Sequence, residues 1–225
     1  PRREKGELLW PNRFDRETID GLKKTLGSRA ASAQLQQDPK SSEGGMFKRK
    51  WWKTYKELPP KGTWIRKVTF WDTAQKPGIS NDYSVGATWL EATTGYYLIS
   101  VFRDKLEFPQ LRQAIINQFL KHKTDAVVIE DKSSGISLLQ DFRQDNKFKM
   151  PIIAYDPGQN DKQIRASAAT PTVEGGNCYL PEGADWCEDF ISEHESFPDG
   201  DHDDQVDTTS QMVEYFKKHS NYQPR

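Results

Sequence analysis

Cysteine is nearly absent from this chain: Cys178 and Cys187 are the only two in 225 residues. They have neither metal-ligand spacing nor a disulfide framework, so the expected compartment is intracellular and reducing. No apolar run approaches the roughly 20 residues that a membrane-spanning helix needs. No N-terminal stretch has the order of a secretory signal, and the chain opens on Pro1 rather than Met, as expected of a piece of something longer. No Gly-rich loop ends in Gly-Lys-Ser/Thr, which excludes a P-loop nucleotide site. There is no paired Cys or His arrangement for zinc, and neither Ser nor Cys sits in a nucleophile elbow. Net charge is missing too: 32 Lys and Arg against 33 Asp and Glu give −1 at pH 7. No overall basic field announces nucleic acid, although a local basic groove can coexist with an acidic centre.

Aromatic residues are plentiful, with 7 Trp, 8 Tyr and 11 Phe, and these argue against disorder despite 29% charged residues. Residues 1–60 differ from the rest. Helical spacing covers 16–26 and again 28–37, with Ser28 a suitable N-cap. Residues 39–45 form a loop of small and breaking residues. The cluster Lys48-Arg49-Lys50-Trp51-Trp52-Lys53 is either a solvated junction with its tryptophans packed inward, the simpler reading, or a nucleic-acid backbone contact. Pro59-Pro60-Lys61-Gly62 punctuates a boundary, so 1–60 is expected to be an extension and 61–225 the main domain.

From Trp64 the pattern turns to strands at 64–72, 83–91 and 96–103, a meander with short connections. A helix at 109–121 follows, then a short, wholly apolar strand at 126–130. Helices at 135–143, 161–173, 185–193 and 204–218 alternate with strands at 152–155 and, as a short edge strand, 177–180. The result is an α/β mixed sheet, three antiparallel strands plus parallel ones, flanked by helices on both faces. That order is similar to the ribonuclease H-like fold, in which the first and fourth strands are central neighbours.

Acidic residues stand at the ends of these apolar runs. Asp72 closes 68–72 and Glu130 closes 126–130. Asp203, Asp204 and Asp207 crowd the start of the last helix, and Asp82 precedes the second strand. Each has an ordinary alternative. A strand-terminal Asp can cap a turn, a helix N-terminus favours an anion, and Asp82 is as good a turn former as a secondary ligand. Together they are harder to dismiss. Charged side chains are rarely buried unless paired or metal-bound, and four Asp within 201–207 repel one another. Carboxylates from separate elements converging on hard divalent metals would suit phosphodiester cleavage by a two-metal mechanism. Lys132, Lys162 and Arg165 are candidates for DNA phosphate contacts, each of which could equally be a solvated surface cation; Lys162 and Arg165 lie three apart on one helical face.

An ordered series of motifs carries a resemblance. Ser28-Arg29-Ala30 with Gln34 to Gln37 and Pro39 is followed by Gly44-Gly45-Met46-Phe47 and Trp51-Trp52. Then come Trp71-Asp72-Thr73-Ala74, Asn81-Asp82-Tyr83-Ser84, Ile129-Glu130-Asp131-Lys132-Ser133-Ser134-Gly135, Asp161-Lys162 with Arg165, and His202 through Asp207. Across nearly its whole length the chain resembles the C-terminal nuclease part of the large terminase subunit of tailed bacteriophages. The resemblance implies a ribonuclease H-like endonuclease that cuts concatemeric viral DNA during genome packaging with Mg2+ or Mn2+, two ions being expected. It implies Asp72, Glu130 and one Asp of the Asp203-Asp204 pair as catalytic metal ligands; Asp204 is preferred because it lies one helical turn from Asp207, and Asp203, Asp207 and Asp82 are kept as secondary candidates. The implied partners are double-stranded DNA, the portal protein, the small terminase subunit and an ATPase domain of the same full-length chain. The implied location is the host cytoplasm and not the mature virion. Two alternatives stand beside it: a Holliday-junction resolvase or transposase-like nuclease of the same fold, and a non-catalytic module that docks DNA or the portal. The extension before the first strand speaks against the former. The carboxylate cluster speaks against the latter.

Overall fold

The computed structural model describes residues 8, 10–35, 45–73, 83–132, 134–145 and 149–219. Asp82, Ser133 and most of the loop at 39–45 lie outside the described residues. Contacts divide the chain into two units, Pro1–Glu43 and Gly44–Arg225.

In the first unit, α1 (Arg16–Leu35) opens beside Asp15, whose Oδ1 accepts the Thr18 backbone N–H at 2.8 Å. The helix is kinked at Gly27, which has φ 72°. That left-handed backbone favours glycine, and it separates the two helical stretches expected at 16–26 and 28–37.

The second unit is built on a seven-stranded sheet. Its strands are β1 (Lys53–Tyr55), β2 (Trp64–Asp72), β3 (Ser84–Ala92), β4 (Gly95–Asp104), β5 (Ala126–Glu130), β6 (Ile152–Tyr155) and β7 (Cys178–Pro181). The spatial order is β1-β7-β4-β3-β2-β5-β6. Strands β2, β3 and β4 are antiparallel, while β2–β5, β5–β6, β4–β7 and β1–β7 are parallel. Five helices complete the unit: α2 (Phe108–His122), α3 (Ser134–Gln144), α4 (Lys162–Glu174), α5 (Cys187–Ser196) and α6 (Asp204–His219).

Alternation along β2 sorts the two cores, because successive strand side chains face opposite ways. Val68 and Phe70 join Ala87, Val128, Ala166, Phe190, Met212 and Phe216 under α4, α5 and α6. Trp71 joins Val127 and Ile129 under Leu111 and Ile115 of α2 and Leu138 and Phe142 of α3. The mixed sheet with helices on both faces is the architecture expected.

Two expectations differ. The strand near 177–180 is not an edge, since β1 pairs outside it; Cys178 and Leu180 are accordingly buried. Strand β1 itself has no alternating apolar signal, being Lys-Thr-Tyr, and it forms because β7 presents an open ladder. The segment 46–55 also packs with the sheet unit instead of forming part of an extension. Met46, Phe47 and Trp52 are buried in the larger core, so the tryptophan at 52 is packed inward. Arg49 pairs with Glu188 and Glu195 of α5 at 2.7 and 3.1 Å.

Gly135 is where α3 meets the end of β5. A Cβ there would lie 1.9 Å from the Glu130 carbonyl oxygen. Gly135→Ala is therefore expected to cost about 1–3 kcal/mol of stability by overpacking, read as a lowered urea midpoint at unchanged m.

Candidate active site

Asp72 and Glu130 are brought together by strand pairing. Trp71 lies opposite Ile129 in the parallel β2–β5 ladder, which sets the next residues of each strand, Asp72 and Glu130, side by side. The row continues across the sheet: Asp72 faces Val85, Val85 faces Arg103, and on the other flank Glu130 faces Tyr155. Five strands thus end in one row of side chains on the α6 face. Helix α6 packs over β2 and β3 there and brings Asp204 and Asp207 from its first turn. These two lie three positions apart, so both point to one side of the helix.

The electrostatics record the convergence. Burial raises the Asp72 carboxyl well above its ordinary range, and the charges of Asp207, Glu130 and Asp204 push the same way while Lys162 opposes them. Burial and Asp207 likewise raise Glu130 against Arg165, Lys132 and Lys162. Asp204 is pushed up to about 6, first by burial and then by Glu193 and Asp203. Among the described residues neither Asp72 nor Asp204 has a hydrogen bond or ion pair to its carboxylate. Glu130 has two, a hydrogen bond from Gln211 Nε2 to Oε2 at 3.2 Å and an ion pair of Oε1 with Lys132 Nζ at 4.0 Å.

Asp207 is different. It is 4% exposed, and both its oxygens are engaged. Arg165 Nη2 meets Oδ1 at 2.9 Å and Lys162 Nζ meets Oδ2 at 2.6 Å. Lys162 also bridges to Asp203 Oδ1 at 2.9 Å. Burial would lower the Lys162 pKa, but Asp207 and Asp203 override it and leave it raised. Of the three Asp at this helix start, Asp204 alone keeps an unengaged carboxylate.

The structure thus gathers Asp72, Glu130, Asp204, Asp203 and Asp207 in one place, and Asp82 lies outside the described residues. It also shows what the three expected phosphate contacts touch within the chain. Arg165 is 8% exposed and donates to Asp207 and to the Asn160 carbonyl, so it is an internal counter-charge and not a surface one. Lys162 is committed to Asp203 and Asp207. Arg165 is the buried one of the three cations; Lys162 and Lys132 both keep solvent-exposed side chains, and Lys132 Nζ lies 4.0 Å from Glu130 Oε1.

Two positioning groups escaped the sequence pattern. Glu193 of α5 accepts from the Gln205 backbone N–H at 2.7 Å and from Gln205 Nε2 at 2.6 Å, which fixes the start of α6 beside Asp204. Tyr155 donates to Glu214 Oε2 at 2.6 Å, which ties β6 to the same helix. Both arise from long-range packing and leave no local signature.

Carboxylates without internal partners are the donor chemistry of a hard divalent cation. The donor types fit such an ion. Among the described residues, however, no three His, Cys, Asp or Glu side chains are spaced to hold one as they stand.

A family model described as "Terminase RNaseH-like domain" matches residues 69–216. The chain therefore belongs to the terminase ribonuclease H-like family. Its fold is shared with the large terminase of a thermophilic bacteriophage in complex with ADP, at TM-score 0.66 and 13% identity over 89% of this chain and 52% of that one. It is shared with the large terminase nuclease of thermophilic phage G20c with bound magnesium, at TM-score 0.54 and 12% identity over 76% of this chain and 96% of that one. The human cytomegalovirus terminase nuclease domain, manganese-soaked with inhibitor bound, matches at TM-score 0.53 and 10% identity over 76% and 95%. The chain spans about half the length of the ADP-bound phage terminase. No curated protein sequence matches.

The raised Asp204 carboxyl fixes the sign of a pH effect. Its folded value of about 6 exceeds its ordinary 3.8. The folded state binds that proton more tightly, so its contribution to stability is present at low pH and is lost as pH rises from about 4 through 6. In EDTA, Asp204→Asn is expected to melt higher than wild type at pH 7, with the difference closing near pH 4. Arg165→Met should act in the opposite sense. It leaves a buried Asp207 with half its neutralisation, at a cost of about 3 kcal/mol, read by chemical denaturation.

Proposed function

We propose that this chain is the nuclease part of a phage large terminase: a divalent-metal-dependent endodeoxyribonuclease that cuts concatemeric viral DNA during packaging. The observation that carries the proposal is the pair Asp72 and Asp204, partly buried carboxylates without an internal partner, converging beside Glu130. Isolated, such groups are costly to bury. A cation supplied from solution removes that cost.

Asp72, Glu130 and Asp204 would hold the metal, Mg2+ or Mn2+, with two ions the stoichiometry that suits phosphodiester hydrolysis. A bound divalent ion supplies a lowered pKa for the attacking water and charge stabilisation at the phosphate. The remaining residues do structural work around it. Gln211 orients Glu130, Lys162 and Arg165 hold Asp207 and with it the first turn of α6, and Glu193 fixes the start of that helix. Neighbours of the same fold were solved with magnesium or after a manganese soak, which supports a divalent ion here. The partners that follow from this reading are double-stranded DNA, the portal, the small terminase subunit and an ATPase domain, and the place of action is the host cytoplasm.

Asp72→Asn preserves shape and removes charge. It is expected to lower plasmid cleavage by about a hundredfold or more, since metal assistance is worth several kcal/mol, while the circular dichroism spectrum stays native. Excess EDTA should abolish wild-type cleavage and Mn2+ or Mg2+ should restore it, whereas Ca2+ should support little turnover because its coordination is looser. Cleavage by Asp72→Asn at the wild-type rate, or in excess chelator, would remove this reading.

A further inference from the structure

Lys162 and Arg165 are paired with Asp203 and Asp207, and further cations stand beside the site. On the β4 side of the row stand Arg103 and Lys105. Both lie over Tyr83: Arg103 Cζ is 4.2 Å and Lys105 Nζ 4.6 Å from its ring centroid, and Arg103 Nη2 also pairs with Glu193 Oε2 at 3.5 Å. The His202 ring meets Tyr83 edge-on at 5.4 Å. An aromatic face positions a cation without neutralising it, so the charge of Lys105 stays available.

Arg103 lies deeper than Lys105. Its Nε and Nη2 are buried and have no hydrogen-bond acceptor. The acid near it, Glu193, stands 3.5 Å from Nη2, and the Glu193 oxygens already accept from Gln205. Lys105 is exposed and its ammonium has no acidic partner among the described residues; Asp104 Oδ1 accepts the Lys105 backbone N–H. Both cations belong to the site and not to a distant surface. Arg103 shares the cross-sheet row with Asp72 through Val85, and its charge is felt by Asp204.

We infer that Tyr83, Arg103, Lys105 and His202 form the rim that grips one sugar-phosphate strand of the substrate on the β4 side, with Lys132 on the β5 side. This rests on the nuclease reading. Two strand spacings separate Arg103 from Asp72, about 10 Å.

The test is fluorescence anisotropy with a labelled 30-base-pair duplex in EDTA across a salt series, so that no cleavage occurs. Lys105→Ala is expected to weaken binding several-fold at low salt and to reduce the slope of log K against log salt by about 0.9, one phosphate contact. Tyr83→Leu, which removes the aromatic face and keeps bulk, should weaken binding at least as much. Lys56→Ala, at an exposed position beside β1 at the far edge of the sheet, should change neither affinity nor slope. Lys105 is exposed, so its variant is expected to fold, and an unchanged melting temperature verifies this. Wild-type affinity and slope in both Lys105→Ala and Tyr83→Leu would overturn the rim. If wild type still cuts plasmid with Mn2+ in that case, the rim fails alone and the nuclease reading stands.

Discussion

The parallel pairing of β2 with β5 is the constraint on which the site depends. Its register sets Trp71 against Ile129, and a shift by one residue would turn either carboxylate toward the opposite core. Both strands are anchored by side chains on two faces at once. Phe70 and Val128 lie in one core, while Trp71, Val127 and Ile129 lie in the other. Burial on both faces leaves no alternative register of comparable energy. Two carboxylates 58 positions apart in sequence therefore become neighbours without any direct attraction between them, and against their mutual repulsion. The hydrophobic cores supply the free energy that holds like charges close.

Repulsion on that scale needs an internal opponent, and α4 provides it. Arg165 and Lys162 occupy both oxygens of Asp207. A buried ion pair of this kind adds little net stability over an apolar pair of the same size, but it is costly to break. Its value here is directional. It fixes which Asp of α6 is neutralised and which is left open, and it leaves Asp204 as the open one. The same charges act through space on Asp72, Glu130 and Asp204, all of which Lys162 pulls downward. The two cations are thus part of how the acidic centre can exist at all, which is why they do not behave as surface lysines and arginines.

The fold and the gathering of acidic side chains were legible for the same reason. Period-two alternation and wholly apolar runs mark strands, and a carboxylate terminating such a run at Asp72 or Glu130 is conspicuous because nothing local favours it there. The crowding at 201–207 was legible as unexplained repulsion. The roles of Lys162 and Arg165 were not, because a cation on a helix face reads identically whether it meets solvent or a buried Asp on another helix. Strand β1 was hidden for a related cause: Lys-Thr-Tyr has no pattern of its own, and its conformation comes from the open edge of β7. Tyr83, Arg103 and Lys105 were equally silent, since the antiparallel register of β3 and β4 and not sequence proximity brings them together.

The segment before the sheet shows how far the site's support extends. Residues 45–52 lie against α5. The Met46 backbone N–H donates to the Phe197 carbonyl, Arg49 bonds Glu188 and Glu195, and Phe47 and Trp52 pack edge-on to His194. His194 is pushed down to about 4 by burial and is neutral at pH 7. Its Nδ1 donates to the Phe190 carbonyl, which leaves Nε2 facing Thr209 of α6 at 2.9 Å. The next contact along is Glu193 on Gln205. Helix α5 thus stands between a segment that looked like linker and the helix that carries Asp204. Gly45 is part of the same joint, because a Cβ there would collide with the Glu195 carbonyl at 1.6 Å. The Gly-Met-Phe run and the paired tryptophans are accordingly explained by packing against α5, and the sheet unit begins with them and not with the first long strand.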